Sequence, residues 1–378
     1  MERLFNTPIS SLSTNTANCT RNTICLGFLD GSIQCFSFDT QRGITPSMES
    51  SVKLGGMWRK RMKRSVRAMQ ISEDGTSLYA TSSNRAVCLY DVETGKRVRC
   101  IREGHKSRPS AMALLPGERR HFATGAENGE IKTWDFGQPK PNVHTFGEQA
   151  DIINALHIWR NNLLAASGDG TLAVYDTHKG KVRIQSETMH SELLSLAVTE
   201  RFTYVGAADG HIEVFSNGQF GNIRERMETP FLMGVEQMVV LRSNLLLASS
   251  STAEEMSFLH VNPNKTLCGI SRPGGVDILA KTTDGSLVVT TSGDGTRLNC
   301  YSAEELVKDI PMLTAQGMRA FKSRQREERK RKRANTTDTF FEDLLSDSQR
   351  RDEEDEEKRR RERGDEREEE SDDHGTLI

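Results

Sequence analysis

The chain has 378 residues, of which 35% are apolar and 28% charged, and its formal net charge is −2. This apolar content is low for a fully folded chain of this length, so we expect part of the chain not to fold. The sequence contains no run of 18 apolar residues, and its start, MERLFNTPIS, lacks the apolar core of a signal peptide. These features favour a soluble, intracellular protein and exclude a membrane-spanning helix.

The charges are divided unevenly along the chain. Met318–Ile378 holds 17 Lys/Arg and 20 Asp/Glu residues, which leaves a nearly neutral body. A segment this rich in charge cannot bury enough apolar surface to offset its conformational entropy. The sequence therefore predicts a folded domain over residues 1–311 and a disordered tail over residues 312–378.

The first repeated element is ICLGFLDGSIQCFSFD, which begins at Ile24 and places an Asp-Gly turn between two alternating apolar runs. Asp-Gly and Asn-Gly pairs between such runs predict β-hairpins because both residues tolerate positive φ. The pattern recurs six more times, with turns 40 to 54 residues apart at Asp30, Asn84, Asn128, Asp169, Asp209, about Ala253, and Asp294. This period predicts an all-β, seven-bladed WD40 propeller.

Two of these turns carry the same pentapeptide, SGDGT, at Ser167–Thr171 and Ser292–Thr296. A phosphate-binding loop would lead into a helix, whereas these lead into LAVYD and RLNCY, which alternate like strands. A calcium loop would need several carboxylates at fixed offsets. We therefore interpret both pentapeptides as hairpin turns. The sixth unit has lost its Asp-Gly pair, so we expect an irregular loop or a weak edge there.

A basic run follows the first unit. It consists of Trp58, Arg59, Lys60, Arg61, Lys63 and Arg64. As a loop, it could contact RNA phosphates while the indole stacks on a base. As a solvated strand edge, it would discourage aggregation. The sequence leaves both interpretations open.

Seven cysteines are present, an odd number, and none are spaced as Cys-x-x-Cys. They are Cys19, Cys25, Cys35, Cys88, Cys100, Cys268 and Cys300. Because most lie within apolar runs, we expect buried free thiols in a reducing compartment and not a disulfide framework.

The third unit most resembles a WD repeat. Such repeats end a strand in Trp-Asp, here Trp134-Asp135, and carry a Gly-His pair, here Gly104-His105. The resemblance implies a structural hydrogen-bond chain through His105, Thr124, Asn128 and Trp134, with Asn128 in place of the usual Asp. Asp30, Asp169, Asp209 and Asp294 are the corresponding turn residues of other units.

Longer stretches resemble the nucleolar WD repeat-containing protein 55 family. These are the units from Ile71 to Gly221 and the tail piece NTTDTFFEDLL at Asn335–Leu345. The resemblance implies a non-enzymatic nucleolar factor in ribosomal RNA processing and large-subunit assembly. Some relatives carry an Arg two residues after Trp-Asp, associated with a cullin-ligase adaptor, but here Phe136-Gly137 follows. A generic interaction module and a cullin-ligase receptor are the alternatives.

The tail contains two candidate signals. Lys330, Arg331, Lys332 and Arg333 end a basic run typical of a nuclear-import signal or a nucleic-acid patch, with simple solvation as the alternative. Within residues 336–345, Phe340, Phe341, Leu344 and Leu345 would share one side of a short helix. We interpret this motif as an anchor for a partner's groove, or for the propeller itself.

Motifs of catalysis are missing from the sequence, which contains no HExxH, GxxxxGK[ST] or GxSxG. We therefore predict a protein that is not an enzyme and takes no cofactor, metal or small-molecule substrate. The expected partners are ribosome-assembly proteins, pre-ribosomal particles and RNA, bound by a monomer in the nucleus and nucleolus.

Overall fold

The protein is described by a computed structural model that covers residues 2–15, 22–40, 52–116, 120–261, 264–272, 274–308 and 310, without the side chains of residues 2, 38–40 and 52–58. This part of the chain contains 28 strands and one short helix. The strands form seven four-stranded antiparallel sheets. The seven-bladed β-propeller predicted from the repeat period is therefore confirmed.

Each of the first three blades takes its four strands in chain order from the centre outwards. Blade 1 consists of β2 (Ile9–Asn15), β3 (Asn22–Phe28), β4 (Ser32–Thr40) and β5 (Val52–Arg61). Blade 2 consists of β6 (Val66–Ile71), β7 (Ser77–Ser82), β8 (Val87–Asp91) and β9 (Arg97–Ile101). Blade 3 consists of β10 (Pro109–Leu114), β11 (His121–Ala126), β12 (Ile131–Asp135) and β13 (Asn142–Phe146).

Blades 4 to 6 repeat this arrangement. Blade 4 consists of β14 (Ile153–Trp159), β15 (Asn162–Ser167), β16 (Leu172–Asp176) and β17 (Lys181–Gln185). Blade 5 consists of β18 (Leu193–Val198), β19 (Phe202–Ala207), β20 (His211–Ser216) and β21 (Glu225–Glu228). Blade 6 consists of β22 (Gln237–Arg242), β23 (Leu245–Ser249), β24 (Glu255–His260) and β25 (Lys265–Ser271).

Blade 7 closes the ring with strands from both ends of the propeller. It combines β26 (Val276–Lys281), β27 (Leu287–Ser292) and β28 (Arg297–Ser302) with the N-terminal β1 (Glu2–Leu4) as its outer strand. Phe5, just after β1, packs on Phe28 of blade 1 at 5.5 Å between ring centroids. In the sequence, both the start of the chain and the segment near Val307 are candidates for this outer strand. The latter is helix α1 (Ala303–Lys308).

The apolar core lies between consecutive blades. Strands of a propeller blade are covered on both faces, so the second and third strands are buried almost continuously. β15, for example, is buried at all six positions. One such layer joins Leu164 and Val174 of blade 4 to Val205 and Phe215 of blade 5. At about 1.5–3 kcal/mol for each buried side chain of this size, these layers supply much of the stability.

The sixth blade is more regular than its degenerate turn led us to expect. β22–β25 form a four-stranded sheet like those of the other blades. The lost Asp-Gly turn is replaced by residues 250–254, where Glu236 accepts hydrogen bonds from the Ser251 amide at 2.8 Å and the Ser251 hydroxyl at 2.7 Å. A carboxylate from the preceding connection thus does what the turn Asp does elsewhere.

The expectation that the cysteines are free thiols is wrong for four of them. Cys25 is bonded to Cys35 and Cys88 to Cys100, whereas Cys268 and Cys300 are not part of a disulfide. The members of each pair are directly opposite in neighbouring antiparallel strands. The strand register therefore brings the sulfur atoms together. Cys19 lies outside the described residues.

Candidate interaction surfaces on the turn face

One face of the propeller carries all seven hairpin turns between second and third strands. Because neighbouring strands are antiparallel, the connections between blades emerge on that same face, which we call the turn face. Backbone hydrogen bonds join turns to connections: Ser83 donates to the Ser65 carbonyl and Ala208 to the Glu192 carbonyl, both at 2.9 Å. Each connection is thereby held in place for display to solvent.

The turn aspartates are engaged in shaping these corners. Asp169 accepts hydrogen bonds from the Thr171 amide at 2.9 Å and its hydroxyl at 2.7 Å, and from the Ala150 amide at 2.8 Å. Asp294 likewise accepts the Thr296 amide at 3.0 Å. Asp30 holds Ser32 in the same way. These carboxylates satisfy backbone donors, as expected for Asx turns, and the hairpin interpretation of SGDGT is confirmed.

Glycine follows the turn aspartate for two physical reasons. Gly210 has φ of +80°, a left-handed conformation that other residues adopt only at a cost. A Cβ built there would also lie 2.3 Å from the Phe231 carbonyl oxygen of the next connection. Gly129 has the same constraint, with the Gln149 oxygen at 2.0 Å. These glycines therefore permit the close approach that fixes the connections.

Blade 3 contains a buried hydrogen-bond chain that differs from the expected one in its last member. The Trp134 indole donates to the Thr124 hydroxyl at 2.7 Å, and that hydroxyl lies 2.6 Å from Nε2 of His105. Nδ1 of His105 lies 3.1 Å from the carboxylate of Glu130, two residues after Asn128. The carboxylate of Glu130, which lies just before β12, thus takes the role that the resemblance assigned to Asn128.

Only one protonation pattern satisfies every donor of this chain. Neutral His105 donates from Nδ1 to Glu130 and accepts the Thr124 hydroxyl at Nε2, while Thr124 accepts from Trp134. Burial lowers the pKa of His105 to about 4, against the opposing influence of Glu130. The histidine is therefore uncharged at neutral pH, and its buried side chain is fully engaged in hydrogen bonds within the blade.

The basic run lies at the rim of the turn face, between blades 1 and 2. The sequence left a basic loop and a solvated strand edge open. The first half of the run is strand, because Trp58, Arg59, Lys60 and Arg61 belong to β5, the outer strand of blade 1. The sequence concealed this because β4 and β5 are longer than the corresponding strands of other blades. Lys63 and Arg64 do lie in the connection, which the Met62 amide ties to the Gly31 carbonyl at 2.7 Å.

The five cations of this run are exposed to solvent. Arg59 approaches Asp30 at 3.8 Å. Within the described residues, no ion pair reaches Lys60, Arg61, Lys63 or Arg64. The side chain of Trp58 lies outside the described part of the structure.

The next connection extends this charge and was missed in the sequence because its cations are dispersed. We define the basic sector as the exposed cations of the turn face on blades 1 to 3: Arg59, Lys60, Arg61, Lys63, Arg64, Arg102, Lys106 and Arg108. Glu103 is the exposed acid among them, and it pairs with Arg85 at 3.4 Å. The sector is therefore a predominantly positive surface suited to a polyanion.

The opposite half of the turn face has the reverse charge. We define the acidic sector as its exposed carboxylates on blades 4 to 6: Glu148, Asp151, Glu187, Glu192, Asp209, Glu228, Glu254 and Glu255. Arg226 lies among them but is committed to Asp209 and to buried Glu213. Burial raises the pKa of nearby Asp277, and the charge of Glu236 adds to this rise.

Other sequence predictions fall outside these sectors. Lys330, Arg331, Lys332 and Arg333, and the anchor residues Phe340, Phe341, Leu344 and Leu345, lie outside the described residues. No group of three or more His, Cys, Asp or Glu side chains in the described part of the chain could hold a metal ion. None of the helices described there is both long and apolar enough to cross a membrane.

The position associated with cullin-ligase adaptors is occupied by Gly137. Its amide donates to the Asp135 carboxylate at 2.7 Å. The preceding Phe136 is buried against Phe122, with ring centroids 4.9 Å apart. The exposed arginine of such receptors is therefore replaced here by a tight turn.

The fold and the repeated turn geometry define this protein as a WD40 propeller, a class whose members hold other proteins on their faces. The chain is similar to WD repeat-containing protein 55 of Mus musculus, with 29% identity over 76% of this chain and 72% of that protein. The Arabidopsis thaliana protein of the same name is 25% identical over 76% of this chain and 79% of its own length.

An uncharacterized WD repeat-containing protein of Schizosaccharomyces pombe is 27% identical over 72% of this chain and 77% of its own. No protein-family model matches the chain.

Proposed function

We propose that this protein is a non-enzymatic scaffold of ribosome biogenesis that acts in the nucleolus, in ribosomal RNA processing and large-subunit assembly. The observation that carries the proposal is the turn face, on which rigidly held connections present a basic and an acidic sector side by side. The resemblance to the WD repeat-containing protein 55 family, including the tail piece at Asn335–Leu345, supports the choice of process.

The basic sector is the proposed contact with pre-ribosomal RNA. Its cations come from the end of β5 and from two connections whose backbones are fixed to neighbouring turns. Single-stranded RNA binds such surfaces chiefly through its phosphates. Binding releases condensed counterions, so affinity falls as the salt concentration rises. A surface that is already ordered loses little entropy when it binds.

Sedimentation of cell extracts tests the process directly. A tagged protein is expected to migrate with large-subunit precursors and to return to the light fractions after RNase treatment. Reversing the five cations Arg59, Lys60, Arg61, Lys63 and Arg64 to Glu should shift it to the light fractions. Migration of the wild type as a free protein would contradict the proposal.

The choice of compartment rests on the tail and has its own test. A fluorescent fusion lacking Lys330–Arg333 should leave the nucleus, because the run that resembles an import signal is removed. The complete fusion should concentrate in nucleoli. Nuclear accumulation of the shortened fusion would count against this role for the basic run.

The anchor motif is proposed to hold a partner of the pre-ribosomal particle. Phe340→Ala with Leu344→Ala should weaken co-sedimentation without changing the stability of the propeller. Unaltered association would show that these side chains have another role. Co-purification of a cullin-ligase adaptor would instead favour the receptor alternative.

A further inference from the structure

The connection between blades 5 and 6 exposes two large apolar side chains in the middle of the acidic sector. Leu232 is 94% exposed and Met233 58% exposed. Apolar side chains exposed as a pair within a charged rim are typical of protein interaction sites, where Met is enriched. The sequence signal was the apolar run PFLMGV at Pro230–Val235, in a connection where polar residues are expected.

This exposure is imposed by the surrounding structure. Phe231 and Val235, on either side of the pair, are buried at 6% and 0% exposure. The Val235 amide donates to the Ala207 carbonyl at 3.0 Å, and its carbonyl accepts the Ser195 hydroxyl at 2.7 Å. The Thr229 hydroxyl donates to the Gly210 carbonyl. Held at both ends, the connection has no alternative to presenting Leu232 and Met233 outwards.

Carboxylates lie on three segments next to the pair. The Asp209-Gly210 turn lies against the Phe231 and Met233 carbonyls. Glu192 belongs to the previous connection, which is bonded to the Ala208 amide, and Glu228 ends β21 just before the pair. In the described part of the chain, no ion pair reaches Glu192 or Glu228.

The buried charge beneath the site has the same sign. Glu213 is 3% exposed, and although its Oε1 lies 3.2 Å from Arg226, its Oε2 has no hydrogen-bond partner within the described residues. Burial raises the pKa of Glu213, and the neighbouring Asp209 adds to this against the opposing charge of Arg226. His211 and His190 also act against this rise, and Glu213 Oε2 remains a buried acceptor without a hydrogen-bond partner among the described residues.

We infer that Leu232 and Met233, with Glu192, Asp209 and Glu228, form a docking site for a Lys- and Arg-rich protein segment that carries a large apolar side chain. The apolar side chain packs on Leu232 and Met233 while the cations meet the carboxylates. Charge complementarity selects this occupant, since a nucleic acid or an acidic peptide would be repelled. The inference extends the proposed scaffold role to a second partner at a second site.

Fluorescence anisotropy with a defined probe tests the site in the full chain. The probe is a fluorescein-labelled peptide of about ten residues in which Lys and Arg flank two central Leu residues. Leu232→Ser with Met233→Ser should raise its Kd by about tenfold or more, since the apolar contact is lost. Glu192→Gln with Glu228→Gln should raise it about threefold to tenfold at low salt, and less at high salt.

The matched control is Leu29→Ser, which removes an exposed apolar side chain from a turn on the basic half of the same face. It should leave the Kd unchanged, as should the double serine variant with a probe whose central residues are Ser. Equal losses in Leu29→Ser, or no loss in the double serine variant, would overturn the inference. So would a concentration-dependent dimer that only the double serine variant abolishes, since the occupant would then be a second copy.

Failure of this inference is distinguishable from failure of the proposed function. The double serine variant keeps the basic sector, so it should bind RNA like the wild type. If the protein binds the peptide at this site but does not enter pre-ribosomes, the docking site is supported and the proposed role in ribosome biogenesis is wrong.

Discussion

The two halves of the turn face have the same backbone architecture and opposite charges. In both halves a hairpin turn is hydrogen-bonded to the connection beside it, as in Ser83 with Ser65 and Ala208 with Glu192. The side chains that maintain this architecture are buried or are engaged in the turns. The charges that distinguish the halves are exposed, and all of them except Asp209, which also shapes its turn, could change at little cost to the fold. The comparison teaches that recognition on this propeller is decided by residues that do not determine its folding.

Charge reversal in the basic sector should produce the largest effect. Changing Arg59, Lys60, Arg61, Lys63 and Arg64 to Glu should weaken binding of a single-stranded RNA by about 10³-fold at low salt and flatten its salt dependence. The matched control reverses five exposed cations on the opposite face or its edge: Arg97, Lys140, Lys179, Lys181 and Arg201. An equal loss in the control, measured by filter binding at two salt concentrations, would mean that net charge alone governs binding.

Loss of a close backbone approach should come next. Gly210→Ala should reduce the free energy of unfolding by about 2–4 kcal/mol, because the new Cβ meets the Phe231 oxygen and the backbone keeps a positive φ. Gly218→Ala has the same positive φ, but the atom closest to its Cβ is 3.7 Å away on Trp159, so it should cost only about 1 kcal/mol. Urea unfolding should separate the two variants, and equal losses would refute the role of close contact.

Breaking the blade 3 hydrogen-bond chain should have a somewhat smaller effect. Thr124→Val leaves the Trp134 indole and Nε2 of His105 without their shared partner, which should cost about 2–3 kcal/mol. Thr124→Ser retains the hydroxyl and should cost about 1 kcal/mol. If the two variants proved equally stable in thermal unfolding, the chain would contribute no net stability.

The smallest effect is a dependence of stability on pH. The pKa of His105 is about 4 in the folded protein, below the ordinary pKa of histidine. At pH values between these two, the unfolded chain therefore binds more protons at His105 than the folded protein does. The contribution of neutral His105 to the free energy of unfolding is therefore fully present above the unfolded pKa. It is lost as pH falls, by about 2 kcal/mol between pH 7 and 5. His105→Gln should flatten this part of the curve of unfolding free energy against pH. A curve as steep as that of the wild type would assign the effect to other groups.

The propeller could be predicted from sequence because each of its requirements acts locally. An Asp or Asn followed by Gly between alternating apolar runs specifies a hairpin; five such turns, with Asn84 and the degenerate sixth unit at the same period, specify seven blades. The outer strand of blade 7 could not be assigned, since Glu2–Leu4 and the residues near Val307 have similar local patterns. They are distinguished only in three dimensions, where Arg3 pairs with Leu298 of β28 and the residues near Val307 form a helix.

Features that depend on register or on three-dimensional proximity were less predictable. Cys25 and Cys35 are equidistant from the turn at Asp30, a signal that could have indicated their pairing. Glu130 could not be recognised as the partner of His105, because the family pattern directs attention to Asn128. The acidic sector was invisible because its carboxylates are far apart in the chain and are assembled by the ring.

The most direct test of the divided turn face is to map where RNA touches the propeller. Ultraviolet crosslinking of the protein to a 4-thiouridine RNA, followed by mass spectrometry, would identify the contacting peptides. Within the propeller, we expect crosslinks in residues 58–67 and 102–108 and none in residues 148–151, 187–192 or 228–236. Crosslinks concentrated in the acidic sector or on the opposite face would contradict the account.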